Sequence, residues 1–411
     1  MRTEDYLAEV DRYSANNYHP LPVVLTRGEG VYVWDVEGKR YFDMLSGYSA
    51  LNQGHTHPRL VRALTEQAQR LTLTSRAFHN DQMGRFLHRL CELTGFEAAL
   101  PMNTGAEAVE TAIKAARKWG YDVKHVPHDK AEIITFEGNF HGRTTTIVSF
   151  SSEKLYQKGF GPFAPGFKTV PYGDVAALRA ALTPATVAIL IEPIQGEAGV
   201  VLPPEGFLRT VAAICREHNI LFIADEIQTG LGRTGRMFAC EYEAVRPDVM
   251  ILGKALSGGF YPVSAIVADR AVMDVFTPGS HGSTFGGNPL GAAVGLEALN
   301  VIVDEQLPQR AAEIGEWFMG ELRNIDTPAI EQVRGKGLLI GVVIGQEHGL
   351  ARPYCEALMQ RGILCKETHD QVVRFAPPLV VTKEQLEEAL PDIREVLAAT
   401  NLASATAGSA P

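Results

Sequence analysis

The chain has 411 residues, enough for two domains with substantial cores, and its 45% hydrophobic and 21% charged content is ordinary for a globular enzyme. A formal net charge of −10 argues against nucleic acid or an anionic membrane surface as partner, so an anionic ligand must be held by a few local cations and backbone amides. No apolar run is long enough to span a bilayer, and the acidic opening Met1-Arg-Thr-Glu-Asp-Tyr6 carries no signal or transit pattern. The five scattered cysteines (Cys91, Cys215, Cys240, Cys355, Cys365) include no CxxC pair, which predicts reduced thiols and a cytoplasmic location.

In chain order, the segment from Gly30 to Phe42 reads as a hairpin turning at Glu37-Gly38. His55-Thr-His57 is a weak metal pattern better read as a loop pair, and no metal site is expected. The stretch from Asn103 to Lys118 reads as a helix with its opening turn. Its first amides and the Thr104 hydroxyl suit a phosphate, while simple capping by Asn103 is the alternative. Strands are predicted at Ala131–Phe136, Val187–Glu192, Ile220–Ala224 and Asp248–Leu252, with a helix over Gly206–His218.

A second anion candidate is His281-Gly-Ser283-Thr284-Phe-Gly286-Gly287-Asn288-Pro289; no GxxxxGK[ST] loop exists, so a nucleotide P-loop is not supported. After about residue 295 come amphipathic helices, then strands near Gly337–Ile344 and Val372–Phe375. Near-continuous apolar strands alternating with helices predict an α/β protein with a mostly parallel central sheet covered by helices. The expected division is a large domain over 51–295, a smaller α+β domain built from residues 1–50 and 296–400, and a disordered tail over 401–411.

Two strand ends carry the chemistry. Lys254 follows the apolar run Asp248–Leu252 where glycines open the backbone, and Asp225 ends the run Ile220–Ala224. Ligands of such sheets sit at the carboxyl ends of the strands. A partly desolvated lysine has a lowered pKa and attacks carbonyls. A lysine for a Schiff base and an aspartate that keeps a pyridine nitrogen protonated are the two groups a pyridoxal phosphate enzyme needs.

The segments Asp225-Glu226-Ile-Gln228-Thr-Gly230 and Lys254-Ala-Leu-Ser-Gly-Gly259 resemble class III pyridoxal phosphate aminotransferases. Longer stretches resemble the ornithine aminotransferases of that family: Asn17-Tyr18-His19-Pro20-Leu-Pro22, Ser46-Gly-Tyr48-Ser-Ala-Leu-Asn-Gln-Gly-His55, Leu73-Thr-Ser-Arg-Ala-Phe78, Gly138-Asn-Phe140-His141-Gly142-Arg143-Thr144, Glu192-Pro-Ile-Gln-Gly-Glu197-Ala-Gly-Val200 and Arg374-Phe-Ala-Pro-Pro-Leu379. The likeness runs from about residue 16 to 395.

The resemblance implies the fold type I architecture of pyridoxal phosphate transferases. It also implies a homodimer with active sites shared at its interface, and leaves open whether the dimers assemble into a higher oligomer. By the same resemblance Lys254 carries the cofactor, Asp225 pairs with its pyridinium, Gln228 lies near its ring hydroxyl, and Phe140 stacks on the ring. Gly105 and Ala106 bind its phosphate, and Ser283 and Thr284 reach the phosphate of the neighbouring subunit's cofactor.

The implied reaction is ping-pong transfer of the δ-amino group of L-ornithine to 2-oxoglutarate, with Arg143 on the ornithine α-carboxylate, Tyr18 on its α-amine and Tyr48 favouring ornithine over 4-aminobutyrate. Arg374 matches the arginine that binds the α-carboxylate of glutamate or 2-oxoglutarate, and Glu197 matches the glutamate that covers it; a Glu–Arg pair is also a common structural salt bridge. His141 stands where some relatives carry tryptophan. The rival readings are an acetylornithine or 4-aminobutyrate aminotransferase and, outside the class, a non-catalytic metabolite-binding protein.

Overall fold

The computed structural model describes residues 1–400 and Leu402. The tail expected over 401–411 lies outside the described residues apart from Leu402.

The central sheet has seven strands in the order Ala98–Met102, Ser264–Ala268, Val249–Leu252, Leu221–Asp225, Thr186–Ile191, Glu132–Phe136 and Phe167–Val170. Only Ser264–Ala268 runs antiparallel to its neighbours. Every residue of Thr186–Ile191 and of Leu221–Asp225 is buried, as expected where helices cover both faces. The strand period of two divides the side chains between those faces. Ala188, Leu190 and Ile223 pack with the helix Gly105–Asp122, whereas Ile189, Ile191 and Phe222 pack with the helix Phe207–His218. The fold is therefore a mostly parallel sheet between helical layers, with Asp225 at a strand's carboxyl end and Lys254 two residues beyond the next strand.

Two smaller sheets flank this body. In one, Leu25–Glu29, Tyr32–Asp35 and Arg40–Asp43 form an antiparallel meander, joined in parallel by Ile363–Leu364 from late in the chain. Its predicted turn forms because Asp35 Oδ1 accepts from the amides of Glu37 (3.1 Å) and Lys39 (2.8 Å), and Gly38 takes φ +86°. The other sheet is antiparallel, in the order Ile330–Lys336, Leu339–Ile344, Val372–Phe375 and Lys366–Thr368.

Arg233 ties these parts together from a fully buried position. Its Nη1 donates to the carbonyls of Leu338 (2.9 Å) and Pro377 (2.6 Å), and its Nη2 donates to Ser46 Oγ (3.0 Å) and Asn52 Oδ1 (2.6 Å). Burial brings its pKa down to about 9, against the pull of Asp43. His55 and His57 engage separate carboxylates, Asp43 at 2.7 Å and Glu305 at 2.9 Å. Among the described residues no cluster could hold a metal ion, and all five cysteines are free.

Glycine inside a helix normally costs about 1 kcal/mol relative to alanine. At Gly120, in the helix Gly105–Asp122, an added Cβ would lie 2.3 Å from Val187 Cγ1, whose strand is buried and cannot yield. Overpacking of about 1–3 kcal/mol outweighs the propensity gain. Gly120→Ala should therefore lower the thermal midpoint of unfolding, and a raised midpoint would contradict this packing.

Candidate active site

A cavity of about 200 Å³ opens at the carboxyl edge of the central sheet, lined by Gly105, Ala106, Phe140, Glu192, Gln228 and Lys254 among others. Lys254 enters it from the first position of a short 3-10 turn, Lys254–Ser257, with φ +46°. That left-handed conformation is uncommon for a side-chain-bearing residue and marks a position the surrounding structure enforces. Burial lowers the Lys254 pKa, against the raising influence of Glu197, which favours the neutral, nucleophilic amine.

On the neighbouring strand, Asp225 Oδ1 accepts from the Ile227 amide at 3.0 Å, and Oδ2 lies 2.6 Å from His141 Nδ1. Both side chains of that second pair are buried. Burial by itself would lower the His141 pKa, but the hydrogen bond to Asp225 and the charges of Asp225 and Glu192 raise it. The hydrogen bond from His141 fixes Asp225 Oδ2 at the edge of the slot, where a carboxylate suits a protonated ring nitrogen. Sequence reading noted His141 only as a departure; the signal that would have found it is a histidine inside a glycine-flanked motif beside Phe140.

Glu192, at the end of the strand Thr186–Ile191, was likewise quoted within a motif without a role. Its Oε2 accepts from the Phe140 amide at 2.9 Å, which fixes the backbone of the loop carrying the Phe140 ring.

Across the cavity, the helix Gly105–Asp122 begins with a capping box: Thr104 Oγ accepts from the Glu107 amide (3.2 Å), and Glu107 Oε2 accepts from the Thr104 amide (2.7 Å). The cap residue is Thr104 rather than Asn103, and its hydroxyl, expected to face a phosphate, is engaged with Glu107. Among the described residues, the Gly105 and Ala106 amides have no protein acceptor and both residues line the cavity. A helix start with two free amides is suited to an anion.

Glu197 lines this cavity, and the other substrate candidates lie beyond its lining residues. Arg374, only 1% exposed, donates from Nη1 to Glu197 Oε1 at 2.7 Å. Its Nε and Nη2 are buried with no partner, and Tyr48 packs with its ring centroid 5.4 Å from the guanidinium. Gln228 Nε2 donates to Glu197 Oε1 (3.2 Å), while its Oε1 is buried and unpartnered. Arg143 lies 4.1 Å from the ring centroid of Tyr156 and 5.8 Å from that of Phe140. Tyr18 is exposed and lines an adjoining cavity of about 430 Å³ shared with Tyr48. Ser283 and Thr284 do not line the cavity of their own chain.

An apolar slot bounded by Phe140 and Ile227, with a carboxylate on one side, an amine within it and free helix amides at another edge, fits a pyridine ring bearing a phosphate. Gln228 lines the slot, and among the described residues its buried Oε1 has no hydrogen-bond partner and lies against Gly196.

Two buried acids behave oppositely. Burial raises Glu192 to about 7, with His141 opposing, whereas Arg374 and Lys254 overcome burial and bring Glu197 down to about 2. The Glu197–Arg374 pair therefore stays ionised throughout the neutral range. For Glu192 the folded state holds its proton more tightly than the unfolded state, so the stability it contributes is present below pH 4.5 and lost as pH rises through about 7. Wild type should lose on the order of 3 kcal/mol relative to Glu192→Gln across that window. Parallel thermal midpoints of the two proteins from pH 4.5 to 7 would contradict the assignment.

The family described as Aminotransferase class-III matches residues 13–397. The chain is 60% identical to an ornithine aminotransferase of Geobacillus sp. (strain WCH70), over 97% of this chain and 99% of the relative. It superposes on the ornithine aminotransferase of Toxoplasma gondii with a TM-score of 0.96 at 46% identity, covering 97% and 95% of the two chains; the description of that structure mentions PLP at the active site. An acetylornithine aminotransferase of Elizabethkingia anophelis matches with a TM-score of 0.88 at 49% identity, covering 97% and 99%. With the lysine, the strand-end aspartate and the free helix amides converging on one slot, the chain belongs to the class III aminotransferases, pyridoxal phosphate enzymes.

Proposed function

We propose that this enzyme transfers the δ-amino group of L-ornithine to 2-oxoglutarate, giving glutamate and glutamate 5-semialdehyde, which cyclises to pyrroline-5-carboxylate. The observation that carries the reading is Arg374: a buried guanidinium with one nitrogen held by Glu197 and two more N–H groups left without acceptors. An amine donor whose carboxylate lies far from its reacting nitrogen leaves this pair closed. A dicarboxylate acceptor has an α-carboxylate beside its reacting carbon, and it displaces Glu197 to take the guanidinium fork bidentately. Because Glu197 stays ionised at neutral pH, the pair opens by exchange of one carboxylate for another, and protonation plays no part.

Pyridoxal phosphate, when bound, supplies a carbonyl carbon that captures amines and a protonated ring that accepts electrons from the adjacent carbon. Gly105 and Ala106 would hold its phosphate, Phe140 would cover a ring face, and Gln228 would lie near its hydroxyl. Asp225, positioned by His141, would hold the proton on the ring nitrogen. Lys254 Nζ takes the proton from the δ-carbon of ornithine in the first half-reaction and delivers one to the α-carbon in the second. Arg143 receives the α-carboxylate of ornithine, with Tyr18 at the α-amine and Tyr48, beside Arg374, favouring ornithine over 4-aminobutyrate.

The ornithine aminotransferase relatives support this choice of donor. An acetylated α-amine, as in acetylornithine, would crowd Tyr18 and Tyr48, and 4-aminobutyrate has no α-amine for them to meet. In the active form two copies of the chain assemble, in the cytoplasm, with Ser283 and Thr284 of one serving the phosphate in the other.

Lys254→Ala should reduce ornithine-dependent turnover by about 10⁴-fold or more, since both attack and proton transfer pass through its amine; full turnover would overturn the assignment. Glu197→Gln should leave Arg374 open, so kcat/KM shifts from ornithine toward glutamate as donor by about tenfold, roughly 1.4 kcal/mol. An unchanged ratio would make the Glu197–Arg374 pair structural only.

A further inference from the structure

The loop from His281 to Pro289 bears two hydroxyls, Ser283 and Thr284, that its own chain's cavity does not use. We propose that His281 is a positioning residue: it locks this loop onto the helix Gly105–Asp122, so that Ser283 presents its hydroxyl proton outward to a phosphate held by a second copy of the chain. The proposal rests on the functional reading above and adds to it a residue outside the cofactor contacts.

Hydrogen-bond inventory fixes the state of the imidazole. Thr111, fully buried in that helix, has one hydroxyl proton, and its Oγ1 lies 2.7 Å from the Glu107 carbonyl, which can only accept. Thr111 Oγ1 must then accept from His281 Nε2, 3.0 Å away. On the other side of the ring, Lys114 Nζ lies 2.9 Å from Nδ1, and an ammonium can only donate. His281 is therefore a neutral imidazole with its proton on Nε2, anchored at both nitrogens to one helix. Phe276 packs on the ring at 5.2 Å between centroids. Burial and the Lys114 charge both lower the His281 pKa, in keeping with the neutral form.

A second anchor lies at Ser283. Its Oγ accepts from Asn103 Nδ2 (3.0 Å) and from the Gly286 amide (3.0 Å), and Asn103 is itself held by Glu107 Oε1 (3.1 Å). With both lone pairs filled, Ser283 can only donate outward, and among the described residues its proton has no acceptor. A hydroxyl so constrained matches an anionic oxygen. Thr284, the next residue, is exposed. Both anchors end on the helix whose first turn offers the free Gly105 and Ala106 amides. One rigid element thus sets a chain's own phosphate cradle and the arm it extends to its neighbour.

The test compares the dissociation constants of pyridoxal phosphate and of pyridoxal, which lacks the phosphate, for full-length wild type, His281→Phe, Thr111→Val and His281→Gln. Loss of the anchor should weaken pyridoxal phosphate about tenfold in His281→Phe and Thr111→Val while leaving pyridoxal unchanged, since only the phosphate contact is misplaced. His281→Gln, which keeps an N–H where Nε2 stood, should recover most of the loss. Unchanged pyridoxal phosphate affinity in both Thr111→Val and His281→Phe would overturn the proposal. So would equal weakening of both ligands, the mark of general structural damage. A wild-type protein that binds neither ligand would instead overturn the functional reading itself.

Discussion

A charge removed from water must be answered by an opposite charge or by fixed dipoles, and the site depends on that constraint more than on any single contact. Lys254, Asp225, Glu192, Glu197, His141 and Arg374 converge on one buried region at the sheet's carboxyl edge. The arrangement separates two similar carboxyls: Glu197, between Arg374 and Lys254, is held near 2, and Glu192, beside Asp225 with less cationic support, rises to about 7. Environment, not residue type, assigns which acid stays ionised beside Arg374 and which one braces the loop of Phe140.

The same constraint explains the scaffold. Strands buried on both faces have no place for polar groups along their length, so chemistry collects where they end. Lys254 accepts a left-handed backbone there, and neighbouring elements must hold it. Arg233 contributes to that hold at a distance. By bonding to Ser46, Asn52, Leu338 and Pro377 it fixes the segment bearing Tyr48 relative to the strand bearing Arg374. The Arg374 guanidinium lies 5.4 Å from the centroid of the Tyr48 ring.

Much of this was legible in the sequence because it is local. Apolar runs at 187–192, 220–224 and 248–252 announced the central strands, and the residues just beyond them, Asp225 and Lys254, announced the site. The hairpin at Gly38 and the helix after Thr104 carried turn and capping signals within a few residues. What stayed hidden is non-local. Ser264–Ala268 inserts antiparallel between Ala98–Met102 and Val249–Leu252, which no pattern within those strands specifies. The His141–Asp225 pair, the Arg233 knot and the clasp of His281 on Thr111 and Lys114 each join residues far apart in the chain, so single-segment reading could find the members but not the partnerships. Thr104 shows the converse: a phosphate role was plausible from composition, yet its hydroxyl is turned into the capping box by Glu107 three residues on.

The most direct test of the account is the visible spectrum of the purified enzyme with pyridoxal phosphate, recorded first with ornithine alone and then after 2-oxoglutarate is added. The account predicts that ornithine removes the absorption of the lysine-bound cofactor and that 2-oxoglutarate restores it, with pyrroline-5-carboxylate formed in the first step. A band unaffected by ornithine but discharged by acetylornithine or 4-aminobutyrate would contradict the assigned donor and the roles of Tyr18, Tyr48 and Arg143.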